Sequence, residues 1–229
     1  MTLTIYEELE QGSDEWLEAR RGLITSSELN LILTPNLKIA NNDKTRAHAY
    51  ELAAQRITGY TEPKYIGDNA LRGWRDEITA RELYSERFET VDEIGGMCRD
   101  FGPFRLWASP DGLVWDYGGI EVKSRIQKHQ LATIITGEVP KEHILQVQAN
   151  LMVSGRDWWD YVSFCGGMPL WVIRIYPDLE IQEAIRVACD AFEGQVQKIV
   201  NEYNAAIDKK GFDVIMTERA EEEQEIYLG

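Results

Sequence analysis

The chain has 229 residues, of which 44% are hydrophobic, and its formal net charge is −15 at pH 7. This length suits one α/β domain with a hydrophobic core, and the hydrophobic content excludes an intrinsically disordered chain. No apolar run approaches the roughly 20 residues that cross a bilayer, and the acidic N-terminus lacks the basic start and apolar stretch of a signal peptide. Three scattered cysteines without metal-ligand spacing predict buried thiols in a reducing cytoplasm.

The first half of the chain predicts four helices. Ser13 is suited to cap the first, and Thr25 to Glu28 has the spacing of a capping box for the second, which Pro35 ends. Gly59 closes the third, and a connection over residues 63–67 leads into the fourth. In chain order these helices span residues 13–22, a segment from Thr25 to Pro35, residues 44–58 and residues 69–87.

The second half predicts short strands, a helix, two further strands and a long final helix. A turn over residues 116–119 joins the second and third strands, and Pro177 precedes the last helix. The strands span residues 104–108, 112–115, 119–124, 161–164 and 170–176, and the helices residues 141–153 and 179–207. We expect an α/β fold in which a mixed central β-sheet is flanked by helices, as one domain over residues 1–229.

The net charge counts against a simple nucleic-acid binder, because duplex DNA is a polyanion. It does not exclude an enzyme that acts on DNA, since one cationic channel on an acidic exterior directs the polyanion into that channel. Part of the excess lies in an acidic C-terminal tail that contains Glu218, residues 221–223 and Glu225. We expect this tail to be solvated; the alternatives are a docking segment for a basic partner and an edge that repels DNA.

Ser109-Pro110-Asp111 and Glu121-Val122-Lys123 form the most informative pattern. Strand alternation places Glu121 and Lys123 on one side, with Ile120 and Val122 in the core, and a hairpin can bring Asp111 beside Glu121. Two carboxylates suit Mg²⁺ or Mn²⁺, and the lysine can orient a water or stabilise phosphate charge. The alternative is an exposed hairpin with an ordinary Glu/Lys pair.

Two further polar residues lie on predicted helices. Glu77 can add a third carboxylate to a metal cluster, or it can be a surface partner of Arg81 at i+4. Gln146 can bond to a water or a substrate phosphate, or it can be a surface glutamine.

Basic and aromatic residues offer contacts to DNA. Arg20, Thr25 and Ser27 surround the second helix start, where unpaired N–H groups suit a phosphate; a capping box with a surface arginine is the alternative. Arg125, Lys128 and His129 follow Lys123 in a basic stretch that can hold the DNA backbone, or that is a solvated loop. His48 and His143 are expected to be structural or surface residues. Trp74 and Trp107 are candidates for base stacking, with core packing as the alternative.

These blocks, in this order, resemble the phage lambda exonuclease type of alkaline exonuclease, the YqaJ viral recombinase family of the PD-(D/E)xK nuclease superfamily. The matching blocks are Trp16 to Glu28, Glu77 with Ala80-Arg81, Ser109 to Gly112, Glu121 to Lys123 and Gln146 to Gln148. They span about residues 13–153, and the last third matches mainly in pattern. The resemblance implies a restriction-endonuclease-like core.

The resemblance also implies an activity and partners. It implies a Mg²⁺-dependent 5′-to-3′ exonuclease on linear double-stranded DNA, with two Mg²⁺ ions and Mn²⁺ as a substitute. The 3′ overhang would pass to a single-strand annealing recombinase, in the cytoplasm of a bacterial host. The family forms a ring-shaped homotrimer around DNA.

Roles for individual residues follow from the resemblance in the same way. Asp111 and Glu121 would be metal ligands with the Val122 carbonyl, and Lys123 would contact the water nucleophile or the scissile phosphate. Glu77 would assist the second metal, and Gln146 would lie beside the site. Arg20, Thr25 and Ser27 would form the pocket for the 5′-phosphate.

Two other functions stay open at this point. One is an endonuclease or junction resolvase of the same superfamily, which would not need a DNA end. The other is a non-catalytic acidic DNA mimic or protein-binding module, although a mimic has no use for Lys123.

Overall fold

Eight strands form two four-stranded mixed sheets in the computed structural model, which describes residues 2–63 and 67–219. The first sheet has the order β1-β3-β4-β2, in which only the pair β2–β4 is parallel. Its strands are β1 (Thr2–Tyr6), β2 (Ile24–Thr25), β3 (Gly96–Asp100) and β4 (Arg105–Ala108). β1, β2 and β3 were not predicted.

The second sheet has the order β5-β6-β7-β8, with antiparallel outer pairs around the parallel pair β6–β7. Its strands are β5 (Gly112–Val114), β6 (Gly118–Ser124), β7 (Trp158–Phe164) and β8 (Trp171–Ile175). The mixed α/β class is therefore confirmed, but the strands are divided between two sheets instead of one. The β5–β6 turn is tighter than predicted: it covers residues 115–117, with Trp115 in the left-handed region at φ 49°.

In the described part of the chain, six α-helices flank the sheets. They are α1 (Asp14–Arg20), α2 (Asp43–Thr58), α3 (Asp68–Arg87), α4 (Gln127–Thr136), α5 (Lys141–Ser154) and α6 (Leu179–Lys210). All except α4 were predicted, and Ser13 caps α1 as expected, by accepting from the N–H of Trp16. No helix in the described ranges is both long and apolar enough to cross a bilayer.

The predicted second α-helix is wrong. Residues Ser26–Leu31 form a 3₁₀-helix of six residues, and Thr25 caps it with no side-chain hydrogen bond. The Thr25 hydroxyl instead donates to the Glu28 carboxylate at 2.9 Å, so the capping box is not formed.

Two segments of the chain for which the sequence made a prediction lie wholly or partly outside the described residues. The acidic tail from residue 220 onward lies outside them, as does the middle of the connection over residues 63–67.

β6 is held from one side by α3. Ile120 and Val122 are buried in a cluster with Ala80 and Tyr84 of α3, as the alternation predicted. At the start of the strand, a Cβ added to Gly119 would lie 2.5 Å from the Trp159 ring, so the close approach of β7 requires a glycine there. The odd-numbered side chains of β6 are thereby directed to the opposite face.

A buried polar network reinforces the α3 side of the sheet. The Tyr84 hydroxyl donates to Oδ2 of Asp160 at 2.7 Å, and Arg174 donates to both Asp160 oxygens at 2.8 Å. The Arg174 guanidinium also stacks on the Trp158 ring at 3.6 Å. Asp160 is thus satisfied as a buried anion, which fixes β7 against α3 and β8.

Candidate active site

Asp111 lies beside Glu121 because of the β5–β6 register. Gly112 pairs with Ile120, so the residue before β5 lies opposite the residue that follows Ile120. The Val122 N–H donates to Oδ2 of Asp111. The N–H and C=O of one strand residue point to the same edge, so the Val122 carbonyl faces this edge too. The hairpin therefore brings together the three groups that the sequence proposed as metal ligands.

Glu121 is fixed through both carboxylate oxygens. Its side chain is 2% exposed; Oε1 accepts from Nζ of Lys123 at 2.6 Å and Oε2 accepts from Nδ2 of Asn150 at 2.9 Å. The Lys123 side chain is 25% exposed and reaches the same face of β6. An anion and a cation are thus held adjacent on one face of β6.

Arg81 connects Glu77 to the hairpin. Its Nη1 donates to Oε1 of Glu77 at 3.1 Å and to the Asp111 carbonyl at 2.8 Å, while Nη2 lies 2.9 Å from Glu93. The predicted alternative, an i+4 pair between Glu77 and Arg81, is therefore formed. Glu77 nonetheless lines the same cavity as Asp111, with a volume of about 770 Å³.

The site carries an excess of negative charge. Burial, and then repulsion from Glu121 and Glu77, hold the pKa of Asp111 well above its usual value. Burial also raises the pKa of Glu77, against the opposing effect of Arg81. For Lys123, burial lowers the pKa, but the attraction of Glu121 and Asp111 outweighs it and the net pKa is raised. One ammonium thus faces several carboxylates, an arrangement that a divalent cation would stabilise.

Oxygen donors at the site suit a hard cation. Among the described residues, no group of three or more His, Cys, Asp or Glu side chains converges closely enough to hold a metal ion. The groups here that could hold a cation are the carboxylates of Asp111 and Glu121 together with neutral oxygens. The Val122 carbonyl is one of these neutral oxygens. Asn150, whose Oδ1 is buried without a hydrogen-bond partner in the described part of the chain, lies beside Glu121. Such a set fits Mg²⁺ or Mn²⁺, which retain several waters. A role for Glu77 at a second ion stays a prediction.

One face of α5 lines the site. Gln146 lies one turn before Asn150 on this helix and is partly buried, so its amide is on the same face as the side chain that holds Glu121. Gln148, of the same predicted motif, makes its contacts elsewhere, because it donates to the Tyr176 carbonyl and accepts from the Asp178 N–H. Gln146 therefore shares a helix face with the residue that binds Glu121, and its role at the site stays a prediction, whereas Gln148 ties α5 to the chain that precedes α6.

Sequence reasoning missed the connection between Asn150 and Glu121. The only available signal was that Asn150 follows Gln146 at i+4. It also missed the setting of His143, whose Nδ1 lies 2.8 Å from the Tyr161 hydroxyl and whose Nε2 lies 3.4 Å from Nη1 of Arg125. Burial, followed by the charges of Lys123 and Arg125, lowers the pKa of His143 to about 3.

The basic stretch after Lys123 is not a loop throughout. Arg125 is partly buried next to His143, whereas Lys128 and His129 are exposed in the first turn of α4. All three follow Lys123 at the end of β6, and their predicted role in holding the DNA backbone stays a prediction.

A second cavity, of about 480 Å³, contains Arg20 and Thr25. The Arg20 guanidinium stacks on Trp16 at 4.2 Å, and the Thr25 hydroxyl lies 3.3 Å from that of Ser27. The 3₁₀-helix is too short to supply the predicted α-helical dipole. Glu28 and Glu51 also line this cavity. Burial lowers the pKa of Arg20, and these two carboxylates oppose the shift.

The two tryptophans proposed for base stacking have different settings. Trp74 is 52% exposed and lines both cavities. Trp107 is 1% exposed and belongs to the core, so base stacking is wrong for this residue.

Comparison with known proteins identifies the family. The model of the YqaJ-like viral recombinase domain matches residues 15–157. An alkaline exonuclease from Laribacter hongkongensis is 29% identical with a TM-score of 0.77, over 87% of this chain and 100% of that one. The structure of its complex with dAMP gives 30% identity over the same shares with a TM-score of 0.77.

A more distant structure shares the fold alone. The phage-related exonuclease from Haemophilus somnus 129PT is 15% identical with a TM-score of 0.55, over 79% of this chain and 96% of that one. No curated protein sequence matches significantly. The family match covers more than half of the chain, and the solved neighbours have the PD-(D/E)xK nuclease fold. The chain therefore belongs to the family of YqaJ-like viral recombinase domains, which supports a nuclease that acts on DNA.

Proposed function

We propose that this chain is a Mg²⁺-dependent exonuclease that digests linear double-stranded DNA in the 5′-to-3′ direction and leaves 3′ overhangs. The observation that carries the proposal is that Asp111, Glu121 and Lys123 lie side by side on the β5–β6 hairpin of the second sheet. The similarity to an alkaline exonuclease that was solved with dAMP supports a DNA substrate.

Divalent cations would be held by Asp111, Glu121 and the Val122 carbonyl, with Glu77 nearest to a second ion. The chemistry they supply is stabilisation of charge on the phosphodiester and a lowered pKa for the attacking water. Mn²⁺ can substitute for Mg²⁺, since both prefer carboxylate and carbonyl oxygens.

The side chains of the protein would then position the attacking water and stabilise the charge on the phosphate. The raised pKa of Lys123 keeps its ammonium charged at pH 7, so that it can donate to a phosphate oxygen or orient the water. Asn150 holds Glu121 in place, and the Gln146 amide is available to the water or the phosphate. Asp111, Glu121 and Lys123 are held by hydrogen bonds within the chain itself, a form of the preorganisation that electrostatic catalysis requires.

Contacts to DNA would divide between two regions. Arg20, Thr25 and Ser27 would receive the 5′-phosphate at the smaller of the two cavities described above. Trp16 and Trp74 line both that cavity and the one that contains Asp111. Arg125, Lys128 and His129 would hold the backbone beyond Lys123. With a net charge of −15, the rest of the surface would repel DNA and direct it to these sites.

Assembly and partner form a further part of the proposal. A ring-shaped homotrimer around DNA would make digestion processive, and the overhang would pass to a single-strand annealing recombinase. Light scattering coupled to gel filtration tests the trimer: it requires three times the chain mass of 26.3 kDa.

The decisive experiment digests linear duplex labelled at each terminus, with and without Mg²⁺, beside a covalently closed circle. The proposal expects loss of the 5′ label first, a surviving 3′-ended strand, no reaction without the metal and an intact circle. Cleavage of the circle would instead identify an endonuclease or resolvase. The absence of any metal-dependent cleavage would favour the DNA-mimic alternative.

A further inference from the structure

Arg125 carries a buried guanidinium whose charge is incompletely compensated. Its side chain is 11% exposed, and its Nε is buried with no hydrogen-bond partner in the described part of the chain. The carboxylate that it reaches belongs to Glu142, which is 3.5 Å away and 64% exposed. A desolvated cation is costly unless an anion compensates it, and this ion pair is long and its carboxylate is mostly in water, so the compensation is incomplete.

A second neighbour of the guanidinium, His143, is neutral. Nη1 of Arg125 lies 3.4 Å from Nε2 of His143, whose Nδ1 is engaged by the Tyr161 hydroxyl at 2.8 Å. The low pKa of His143 keeps this ring uncharged at pH 7, so it orients Arg125 without adding or removing charge. The positive charge therefore remains available to an incoming anion.

Arg125 also lies one strand repeat beyond Lys123. Its N–H donates to the Phe164 carbonyl at 2.7 Å, which continues the β6–β7 pairing past Ser124. Residues two apart on an extended chain share a face and are separated by about 6.6 Å. Glu121, Lys123 and Arg125 thus follow one another along one side, from the carboxylate to the second cation.

We propose that Arg125, oriented by His143, binds a second phosphate of the cleaved DNA strand, next to the scissile phosphate. This inference rests on the proposed function, in which Lys123 contacts the scissile phosphate. An arginine fork recognises a phosphate through two parallel hydrogen bonds. The site then favours a polynucleotide with consecutive phosphates over a substrate that carries one phosphodiester alone.

The test measures DNA binding where cleavage is blocked. In an Asp111→Asn background without divalent cations, the affinity for a fluorescent duplex is measured with Arg125 present and in Arg125→Ala. A series of duplexes is used, each of which carries one neutral methylphosphonate in place of one of the phosphates beside the scissile phosphate. We expect Arg125→Ala to weaken binding about tenfold to a hundredfold. One methylphosphonate should cause the same loss when Arg125 is present and little further loss in Arg125→Ala.

Two variants serve as controls. Arg186→Ala removes the same charge from the exposed face of α6 and should leave affinity unchanged. Arg125→Lys keeps the charge but not the fork and should recover only part of the affinity. Removal of an incompletely compensated cation should not lower the melting temperature. If Arg125→Ala does not fold, the inference is tested with Arg125→Lys and the methylphosphonate series.

Equal losses in Arg125→Ala and Arg186→Ala would overturn the inference, as would methylphosphonate effects that are identical with and without Arg125. Failure of the proposed function is read separately, from the absence of Mg²⁺-dependent digestion of linear duplex when Asp111 is intact.

Discussion

Lys123 and Glu121 lie two residues apart on β6, and the Lys123 ammonium is 2.6 Å from Oε1 of Glu121. The pair needs no contact from a distant element, because strand alternation alone directs both side chains to one face. The pair places one negative and one positive charge beside Asp111. The Asp111 carboxylate accepts a hydrogen bond from the N–H of Val122, which lies between Glu121 and Lys123 on β6. The proposed catalysis requires these carboxylates to be charged and close together, whereas in the metal-free protein their mutual repulsion lowers the free energy of unfolding. Catalysis and stability therefore place opposite demands on them.

Asp111→Asn and Glu121→Gln should separate those demands. Each variant keeps the shape of the side chain, and each should lower the rate of DNA cleavage by about a thousandfold, equivalent to about 4 kcal/mol. In EDTA the melting temperature of Asp111→Asn should be equal or higher, because repulsion from Glu121 and Glu77 is relieved. The stabilisation that Mg²⁺ or Mn²⁺ gives should disappear in both variants.

Cleavage rates and thermal melting with and without metal check this prediction. Asp208→Asn, on the exposed surface of α6, is the matched control and should behave like the unaltered protein. Near-normal cleavage by either active-site variant would remove these carboxylates from the mechanism.

Asn150 should act as a positioning residue for Glu121. Loss of its Nδ2 donor in Asn150→Ala leaves Oε2 of a buried carboxylate without its partner. Loss of an outer hydrogen bond of this kind typically costs about tenfold to a hundredfold in metal affinity or activity. We expect the Mg²⁺ concentration for half-maximal cleavage to rise by that factor, with partial recovery of the rate at high Mg²⁺.

A metal titration of cleavage distinguishes this role from a general loss of folding, which would lower the rate at every metal concentration. Asn201→Ala, on the exposed face of α6, is a suitable control. An unchanged metal requirement in Asn150→Ala would exclude the positioning role.

The local parts of the site could be predicted from sequence because they depend on strand alternation and a short turn. The hairpin that joins Asp111 to Glu121 is of this kind. By contrast, Asn150 reaches Glu121 across 29 residues, and no local rule indicates which α5 side chain meets which strand residue. Gln146 and Gln148 illustrate the same limit, since the motif contains both but only tertiary packing decides which faces the site.

The strands and the helix that sequence analysis missed lack local sequence signals such as alternation, a turn or a capping residue. β1 is a largely exposed edge strand, and β3 begins at Gly96, where a Cβ would lie 2.3 Å from the Trp107 ring. That glycine is required by a ring from a neighbouring strand and not by a turn. α4 begins after Ile126 with no side-chain cap, so its basic first turn had the pattern of a loop. Only Gly137, at its end, carried a helix signal.

The Tyr84–Asp160–Arg174 network should contribute to stability and not to cleavage. Its members lie on the α3 face of the sheet, opposite the face that Glu121 shares with its partner Tyr161. Tyr84→Phe removes the donor to a buried carboxylate and should lower the free energy of unfolding by about 1–3 kcal/mol. Arg174→Met should cost more, because it removes the cation from the same carboxylate.

Urea denaturation at pH 7.5 checks this prediction, with Tyr203→Phe on α6 as the control. The cleavage rate per folded molecule should be unchanged in Tyr84→Phe. A stability equal to that of the unaltered protein would mean that the hydroxyl contributes nothing to holding Asp160.

His143 should make the protein less stable in acid. Its pKa is about 3 in the folded chain, against the usual 6.5, so the unfolded chain takes up a proton first as the pH falls. Stability from this group is complete above about pH 6.5 and is lost progressively toward pH 3, by about 2 kcal/mol between pH 6.5 and pH 5. His143→Gln does not titrate, so its stability should fall less over that interval.

The free energy of unfolding at several pH values between 7.5 and 5 checks this, as the difference between the unaltered protein and His143→Gln. The exposed His129 provides the control through His129→Gln. Parallel pH profiles for the unaltered protein and His143→Gln would contradict a neutral, buried imidazole.

Arg20 should determine the preference for 5′-phosphorylated ends. Its side chain lines the smaller cavity beside Thr25, and Trp16 holds its guanidinium flat. Because Glu28 and Glu51 line the same cavity, removal of the arginine leaves a more negative site that repels a phosphate. Arg20→Ala should therefore lower the ratio of rates on phosphorylated and hydroxyl ends to about one, while the slower rate on hydroxyl ends persists. Arg46→Ala, on the exposed face of α2, is the control and should keep the original ratio of rates. If Arg20→Ala also keeps that ratio, the terminal phosphate binds elsewhere.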